Sequence, residues 1–153
     1  MAIFILKGFK DRGAWKNPRA ISKKGKRQDL GGVYFRSKFE ANVARYFNFM
    51  KVQWLYEPKE FGFPLDRGIR FYTPDFYLPE ADRWVEVKGW FDRESLVRLK
   101  RFKKYYPDEF RKLGLYMQRC KKEVMAEVMK LGCPVTNYGK IETFFSKVIP
   151  NWE

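Results

Sequence analysis

The chain of 153 residues contains no histidine, and this absence removes several chemistries at once. Without an imidazole there is no Ser-His-Asp or Cys-His nucleophilic catalysis, no His-ligated zinc and no hydrolysis with histidine as the general base. Acid–base chemistry would therefore fall to carboxylates, lysine, tyrosine or metal-bound water.

Cysteines and long apolar segments are also scarce. Cys120 and Cys133 are too few and too far apart for a zinc knuckle or a redox pair, and we interpret them as ordinary intracellular thiols. No apolar stretch approaches the roughly 18 residues of a membrane span, and residues 2–6 are too short for the core of a signal peptide. We therefore expect a cytoplasmic protein without a membrane partner.

Positive charge is what the sequence has in excess. The 32 Lys and Arg against 18 Asp and Glu give a formal net charge of +14, and residues 1–38 hold eleven of the basic residues but only two acids. Glycines and Pro18 interrupt this segment, which shows no helical or alternating period. We predict that residues 1–32 form a flexible basic arm ahead of one domain at 33–153. The alternative is a tail that only aids solubility.

A charge excess of this size indicates a polyanionic partner. Nucleic acid is favoured over an anionic membrane because no basic helix with a wide apolar face stands out. The candidates for phosphate contacts in and near the arm are Lys7, Lys10, Arg12, Lys16, Arg19, Lys23, Lys24, Lys26, Arg27 and Arg36.

Regular hydrophobic spacing begins after residue 32 and predicts an α/β fold with a mixed central β-sheet flanked by helices. A Pro/Gly-bearing linker at 64–68 separates the first elements from the rest, and Gly89 is expected to end the most regular strand. The spacing predicts helices over 37–50, 93–106, 122–131 and 141–148, and extended segments over 52–56, 69–72, 76–78, 84–88, 113–118 and 135–138.

Four residues form a candidate catalytic group: Glu40 on the first helix, Asp75 at the head of a strand, and Glu86 and Lys88 on the next strand. The turn between the two strands is short, so antiparallel pairing can bring Asp75 near Glu86, and the strand period of two points Glu86 and Lys88 to one face. Crowded carboxylates repel unless a hard cation binds between them, which suits Mg²⁺ or Mn²⁺. Such an ion would support phosphodiester hydrolysis, with Lys88 holding or deprotonating the water or offsetting phosphorane charge.

Each of these residues also has a purely structural explanation. Ser37 and Glu40 fit a capping box, in which Glu40 accepts from the Ser37 backbone N–H. Asp75 would be a turn residue after a proline, and Glu86 with Lys88 would be a solvated charge pair. The catalytic interpretation is favoured over the structural one because all the residues occur together, in the expected order and structural settings.

The segments 72–76 (YTPDF) and 85–89 (VEVKG) resemble the core of the PD-(D/E)xK nuclease superfamily, and Phe35-Arg36-Ser37-x-x-Glu40 resembles its helical acid. With Tyr56-Glu57 and with 138–139 (YG) and 149–150 (IP), the pattern resembles the bacteriophage endonuclease I type of Holliday-junction resolvase. The resemblance covers about residues 34–152.

The resemblance implies a restriction-endonuclease-like core and a Mg²⁺-dependent endonuclease that cuts four-way and other branched DNA as a homodimer. Asp75 and Glu86 would be the main metal ligands, Glu40 an additional ligand, and Lys88 the catalytic lysine, with the carbonyl of Val87 also coordinating. Members of this type form domain-swapped dimers that share the helical Glu between chains. The crossing segment here would lie near residues 62–70.

A second basic surface and an aromatic side chain are further DNA-binding candidates. Helix 93–106 carries Arg93, Lys100, Arg101 and Lys104 on one face, although such faces are often merely solvated. Trp90 would stack on unpaired bases. Two other functions stay open: a phage nuclease acting on duplex or nicked DNA, and a non-catalytic basic DNA-binding protein.

Overall fold

The computed structural model describes residues 24–153, which form an α/β fold around a five-stranded mixed sheet with helices on both faces. The first 23 residues, with most of the predicted arm, lie outside the described residues. The sheet order is β3-β6-β7-β8-β9, built from Leu55–Tyr56, Phe76–Leu78, Arg83–Phe91, Leu113–Cys120 and Val135–Asn137. The helices are α1 (Lys38–Phe49), α2 (Arg93–Tyr105), α3 (Pro107–Phe110), α4 (Lys122–Leu131) and α5 (Tyr138–Phe145).

The connections explain the mixture of strand directions. A short turn joins β6 to β7 and makes them antiparallel, while helical crossovers make β7, β8 and β9 parallel. The central strand β7 is covered on both faces, since Val85 and Val87 pack toward α1 while Trp84 packs toward α2. The predicted mixed sheet flanked by helices is confirmed.

Side-chain hydrogen bonds cap the N-termini of α1 and α2. The Ser37 hydroxyl accepts from the Glu40 backbone N–H at 3.2 Å and starts α1, and Asp92 does the same for α2 through the Ser95 N–H at 2.8 Å. Each cap follows directly on a strand or bend, so the first turns of both helices lie close to the sheet.

The segment predicted as a linker is a β-hairpin. Strands β4 (Phe61–Leu65) and β5 (Gly68–Tyr72) pair in register around a two-residue turn, with Gly68 at φ 106°. Phe61 and Phe63 are buried against α2, so this hairpin packs on its own chain. The sequence pattern missed β4 because Gly62 and Pro64 interrupt its apolar run.

Two further expectations are corrected. Gly89 does not end β7, which continues to Phe91; a Cβ at Gly89 would overlap the ring of Phe39, so glycine there permits close packing of α1 on the strand.

Residues 25–32 are not a free arm, since β1 (Gly25–Arg27) pairs with β2 (Val33–Phe35) around a 3₁₀ helix (Gln28–Leu30). Leu30 is only 1% exposed, because it packs into the α1 core.

Within residues 24–153, none of the helices has the length and apolar character needed to cross a bilayer.

Candidate active site

The pairing of β6 with β7 brings the two strand acids together. Phe76 is registered with Val85, so the same register places Asp75, one residue before β6, opposite Glu86. The Asp75 Oδ2 accepts from the Val87 N–H at 2.7 Å. The side chain of Glu86 is next to it, and both carboxylates are buried, with 7% and 5% of the residue exposed. A bound backbone N–H therefore aims the Asp75 carboxylate along the strand that carries Glu86.

Lys88 lies on the same face of β7 and balances one of these charges. Its Nζ is 3.0 Å from Glu86 Oε1, while the Tyr72 hydroxyl donates to Glu86 Oε2 at 3.1 Å. Both oxygens of Glu86 are thus positioned by a donor. Asp75 Oδ1, in contrast, accepts no hydrogen bond from any residue in 24–153.

Glu40 borders the site from the first turn of α1. Its Oε1 accepts from the Ser37 hydroxyl at 2.8 Å, and its Oε2 accepts from the Arg36 N–H at 3.0 Å and the Tyr56 hydroxyl at 2.5 Å. The capping role considered from the sequence is therefore present, with the Arg36 N–H in place of that of Ser37. Its role as a metal ligand stays a prediction.

Glu57 is a fourth buried carboxylate at the site. Its backbone N–H donates to the Asp75 carbonyl at 2.8 Å, and its side chain pairs with Arg36 at 3.0 Å. The residue has φ 46°, a left-handed conformation that costs free energy in a non-glycine residue. We call the four carboxylates of Glu40, Glu57, Asp75 and Glu86, together with Arg36 and Lys88, the acidic cluster.

Burial and crowding shift the proton affinities in this cluster. Burial raises the pKa of Asp75 well above its usual value, and repulsion from Glu86 and Glu40 raises it further. Burial likewise raises the pKa of Glu57 despite the nearby Arg36. The charge of Glu86 raises the pKa of Lys88 above that of an ordinary lysine. Lys88 thus lies as an ammonium beside Glu86.

The donor set fits Mg²⁺ or Mn²⁺ through two carboxylates. Between residues 24 and 153, no group of three or more acids or thiols is arranged to hold a metal ion by itself. Mg²⁺ at phosphoryl-transfer sites, however, typically takes one or two carboxylates and completes its shell with water and substrate phosphate. Asp75 and Glu86 meet that requirement, and Asp75 Oδ1 is an oxygen without a competing protein donor. Coordination by Glu40 or by the Val87 carbonyl stays a prediction.

The predicted DNA-binding residues divide into several groups. Lys24 and Lys26 are exposed, but the Arg27 side chain is only 11% exposed and pairs with Glu153, so it is part of the packed structure. Trp90 is half exposed at the end of β7. The candidates Lys7, Lys10, Arg12, Lys16, Arg19 and Lys23 lie outside the described residues.

The basic face of α2 is not uniform. Arg93 and Lys100 both pair with Glu127 of α4, at 3.1 Å and 2.6 Å. Arg101 and Lys104 have no carboxylate partner within the described part of the chain and face the β4–β5 hairpin. A second helix therefore neutralises part of the predicted basic face, and DNA binding by these residues stays a prediction.

Sequence reasoning missed the tyrosines that position the acids. Tyr72 and Tyr56 donate to Glu86 and Glu40, and both hydroxyls are largely enclosed. A signal existed for both, since Tyr72 precedes the Thr-Pro-Asp motif and Tyr56 directly precedes Glu57, but a tyrosine in a strand is more often a core residue.

No family model, curated protein or solved structure matches this chain.

Proposed function

We propose that this protein is a Mg²⁺-dependent endodeoxyribonuclease with a PD-(D/E)xK active site. The observation that carries the proposal is the buried convergence of Asp75 and Glu86 beside the ammonium of Lys88 on paired strands. Counted as ionised, the four carboxylates outnumber Arg36 and Lys88 by two, and by one when Arg98, which lines the pocket beside Glu86, is included. A structural ion pair would not need this excess, whereas a site that binds a divalent cation does.

The residues have distinct roles in this proposal. Asp75 and Glu86 hold the cation, with Val87 and Tyr72 fixing their orientation. When bound there, the ion would lower the pKa of a water molecule and stabilise the leaving oxygen. The Lys88 ammonium stabilises the negative charge that develops on the phosphate and orients the attacking water. Glu40, held by Tyr56, would accept a hydrogen bond from water.

Branched DNA is the substrate we propose within this class. The support is the motif combination described above and the net charge of +14, which favours a nucleic acid partner. Symmetric cleavage of a four-way junction needs two active sites, so the proposed active form is a homodimer.

The experiment is a competition between DNA shapes. A fixed four-way junction and a linear duplex of the same arms, with different labels, are incubated together with the protein in Mg²⁺, Mn²⁺, Ca²⁺ or EDTA. We expect junction cleavage in Mg²⁺ and Mn²⁺ at protein concentrations that leave the duplex intact, and none with Glu86→Gln. Equal cleavage of both DNAs would instead favour a duplex nuclease, and no cleavage with any metal would exclude an enzyme of this kind.

A mixing experiment tests how the dimer is built. In the structure, Glu40 and Glu86 approach the same site from one chain. If they act within one chain, refolded mixtures of Glu40→Ala and Glu86→Ala proteins stay inactive. In a swapped dimer, half of the dimers would be mixed, and one of the two sites in each mixed dimer would keep all its acids.

A further inference from the structure

A basic groove lies between the β4–β5 hairpin and the C-terminal half of α2. It has a volume of about 470 Å³. The hairpin contributes Arg67 and Arg70 near its turn, and α2 contributes Arg101 and Lys104. Asp66 is the one acid among the residues that line it, so the groove has a formal charge of +3.

The groove cations differ from Arg93 and Lys100 of α2 in having no acidic partner. Arg93 and Lys100 share Glu127, but no carboxylate of residues 24–153 lies within ion-pair distance of Arg67, Arg70, Arg101 or Lys104. Like charges placed together repel, so a cluster of this kind costs free energy in the absence of an anion. Four positive side chains around one groove therefore indicate an anionic ligand with several charges.

The groove is preformed, because the hairpin is fixed to α2 by specific contacts. The hydroxyls of Tyr105 and Tyr106 donate to the carbonyls of Pro64 and Gly62, both at 2.9 Å. The ring of Phe63 stacks on that of Tyr105 with 5.8 Å between centroids. A ligand would thus find the hairpin already ordered, which lowers the entropic cost of binding.

The hairpin also joins the groove to the active site. Strand β5 ends at Tyr72, whose hydroxyl donates to Glu86; Arg70 lies two residues earlier in β5, and Arg67 lies five residues earlier in the turn before it. At about 3.3 Å per residue, Arg70 is roughly 7 Å from Tyr72 along the strand and the start of β5 at Gly68 is roughly 13 Å away, or about two to four base-pair rises of duplex DNA. A DNA strand crossing the acidic cluster would therefore reach the groove within a few nucleotides.

We propose that this groove binds the sugar–phosphate backbone of the DNA strand that flanks the cleavage position. This proposal rests on the proposed function, because it takes DNA as the ligand. Arginine and lysine around a groove contact phosphates without reading bases, so the groove supplies affinity and register rather than sequence preference.

The test measures binding without cleavage. In a Glu86→Gln background and in EDTA, the dissociation constant for a labelled four-way junction is followed by fluorescence anisotropy over a range of salt concentrations. The variants are the hairpin pair Arg67→Gln with Arg70→Gln and the helix pair Arg101→Gln with Lys104→Gln. Each pair is expected to weaken binding by about tenfold or more and to reduce the slope of log K against log salt by about 1.8.

A matched control removes two charges elsewhere. Lys122 and Lys130 of α4 are exposed, and Lys122→Gln with Lys130→Gln changes net charge equally. If the groove pairs weaken binding no more than this control, or if the parent protein binds no DNA, the proposal is overturned. Unchanged melting temperatures show that the variants are folded.

Cleavage by protein with intact Glu86 separates this proposal from the proposed function. Cleavage in Mg²⁺ together with an unchanged salt slope in the groove variants would refute the proposed DNA-binding role of the groove and leave the proposed nuclease activity supported. A reduced salt slope in the groove variants, without any cleavage by the protein with intact Glu86, would support DNA binding in the groove and refute the proposed nuclease activity.

Discussion

Helix α1 carries two charged clusters that differ in their balance. On one side, Glu40 contributes to the acidic cluster; on the other, Asn42 and Arg45 contribute to a network with Asp29, Arg27 and Glu153, which we call the clamp. The clamp pairs two arginines with two acids, at distances between 2.6 and 3.1 Å. The acidic cluster has four carboxylates for two cations.

The pKa shifts of Asp29 and Asp75 show what this difference in charge balance does. In the clamp, a hydrogen bond from Arg45 lowers the pKa of Asp29, so its charged form is stabilised. In the acidic cluster, burial and neighbouring acids raise the pKa of Asp75, so its charged form is destabilised. The clamp therefore stabilises the fold, whereas the acidic cluster is maintained at a cost in stability, as expected where binding or catalysis is the function.

The largest expected effect is on cleavage. Asp75→Asn keeps the hydrogen bond from Val87 but removes the charge that holds the cation, so the cleavage rate should fall by at least about a thousandfold. Without metal, the free energy of unfolding should stay the same or rise, because repulsion with Glu86 is relieved. Single-turnover cleavage and urea unfolding measure the two effects. Glu80→Gln, at an exposed turn, is the control, and an Asp75→Asn protein as active as this control would contradict the assignment.

A substitution in the clamp should have the opposite result, lowering stability without changing cleavage. Arg45, whose side chain is 5% exposed, donates to Asp29, Glu153 and Asn42, so Arg45→Met removes all of these hydrogen bonds and leaves Asp29 without its ion-pair partner. We expect a loss of about 3 kcal/mol in the free energy of unfolding, with cleavage per folded molecule unchanged. Urea unfolding measures the loss. The exposed pair Arg111 and Asp108 gives a control, since Arg111→Met should change stability by less than about 0.5 kcal/mol.

A smaller effect on kcat is expected when the orientation of Glu40 is disturbed and the fold is not. Tyr56→Phe removes the hydroxyl that donates to Glu40 Oε2, so Glu40 is held less firmly and kcat should fall by about fivefold to tenfold, with DNA affinity retained. Tyr77 donates to Asp82 on the surface, and Tyr77→Phe should leave kcat unchanged. If both variants behave alike, Tyr56 does not position Glu40 for the reaction.

The smallest effect is a pH dependence of stability. Because Arg45 lowers the pKa of Asp29 in the folded state, this residue stabilises the protein above its unfolded value of 3.8 and loses that contribution as pH falls through the folded value. The difference in stability between wild type and Asp29→Asn should be below about 1 kcal/mol near neutral pH, because solvent screens the partly exposed pair, and should shrink below about pH 4. Urea unfolding across this range measures it, and a constant difference would argue against the ion pair with Arg45.

Local signals predicted much of the fold and the motif residues of the acidic cluster. Helix α4 has the predicted bounds, Ser37 caps α1, and strand β6 agrees with its pattern, because capping and hydrophobic period act over a few residues. Asp75, Glu86 and Lys88 lie together because a short turn and a period of two suffice to place them.

Longer-range features could not be predicted from local pattern. The ion pairs of Arg27 and Arg45 with Glu153 join residues more than 100 positions apart. The β4–β5 hairpin depends on burial of Phe63 against α2, which outweighs the breaking tendency of Gly62 and Pro64. The neutralisation of Arg93 and Lys100 by Glu127 depends on how α2 packs on α4.

The central claim is that the acidic cluster is completed by a divalent cation, and thermal unfolding in Mn²⁺ tests it most directly. Wild type, Asp75→Asn and Arg45→Met are melted in saturating Mn²⁺ and in NaCl of equal ionic strength. Binding to the folded state alone should raise the Tm of wild type and Arg45→Met by about 5 °C or more, and should leave that of Asp75→Asn unchanged. An equal rise in all three proteins, or no rise in wild type, would contradict the account.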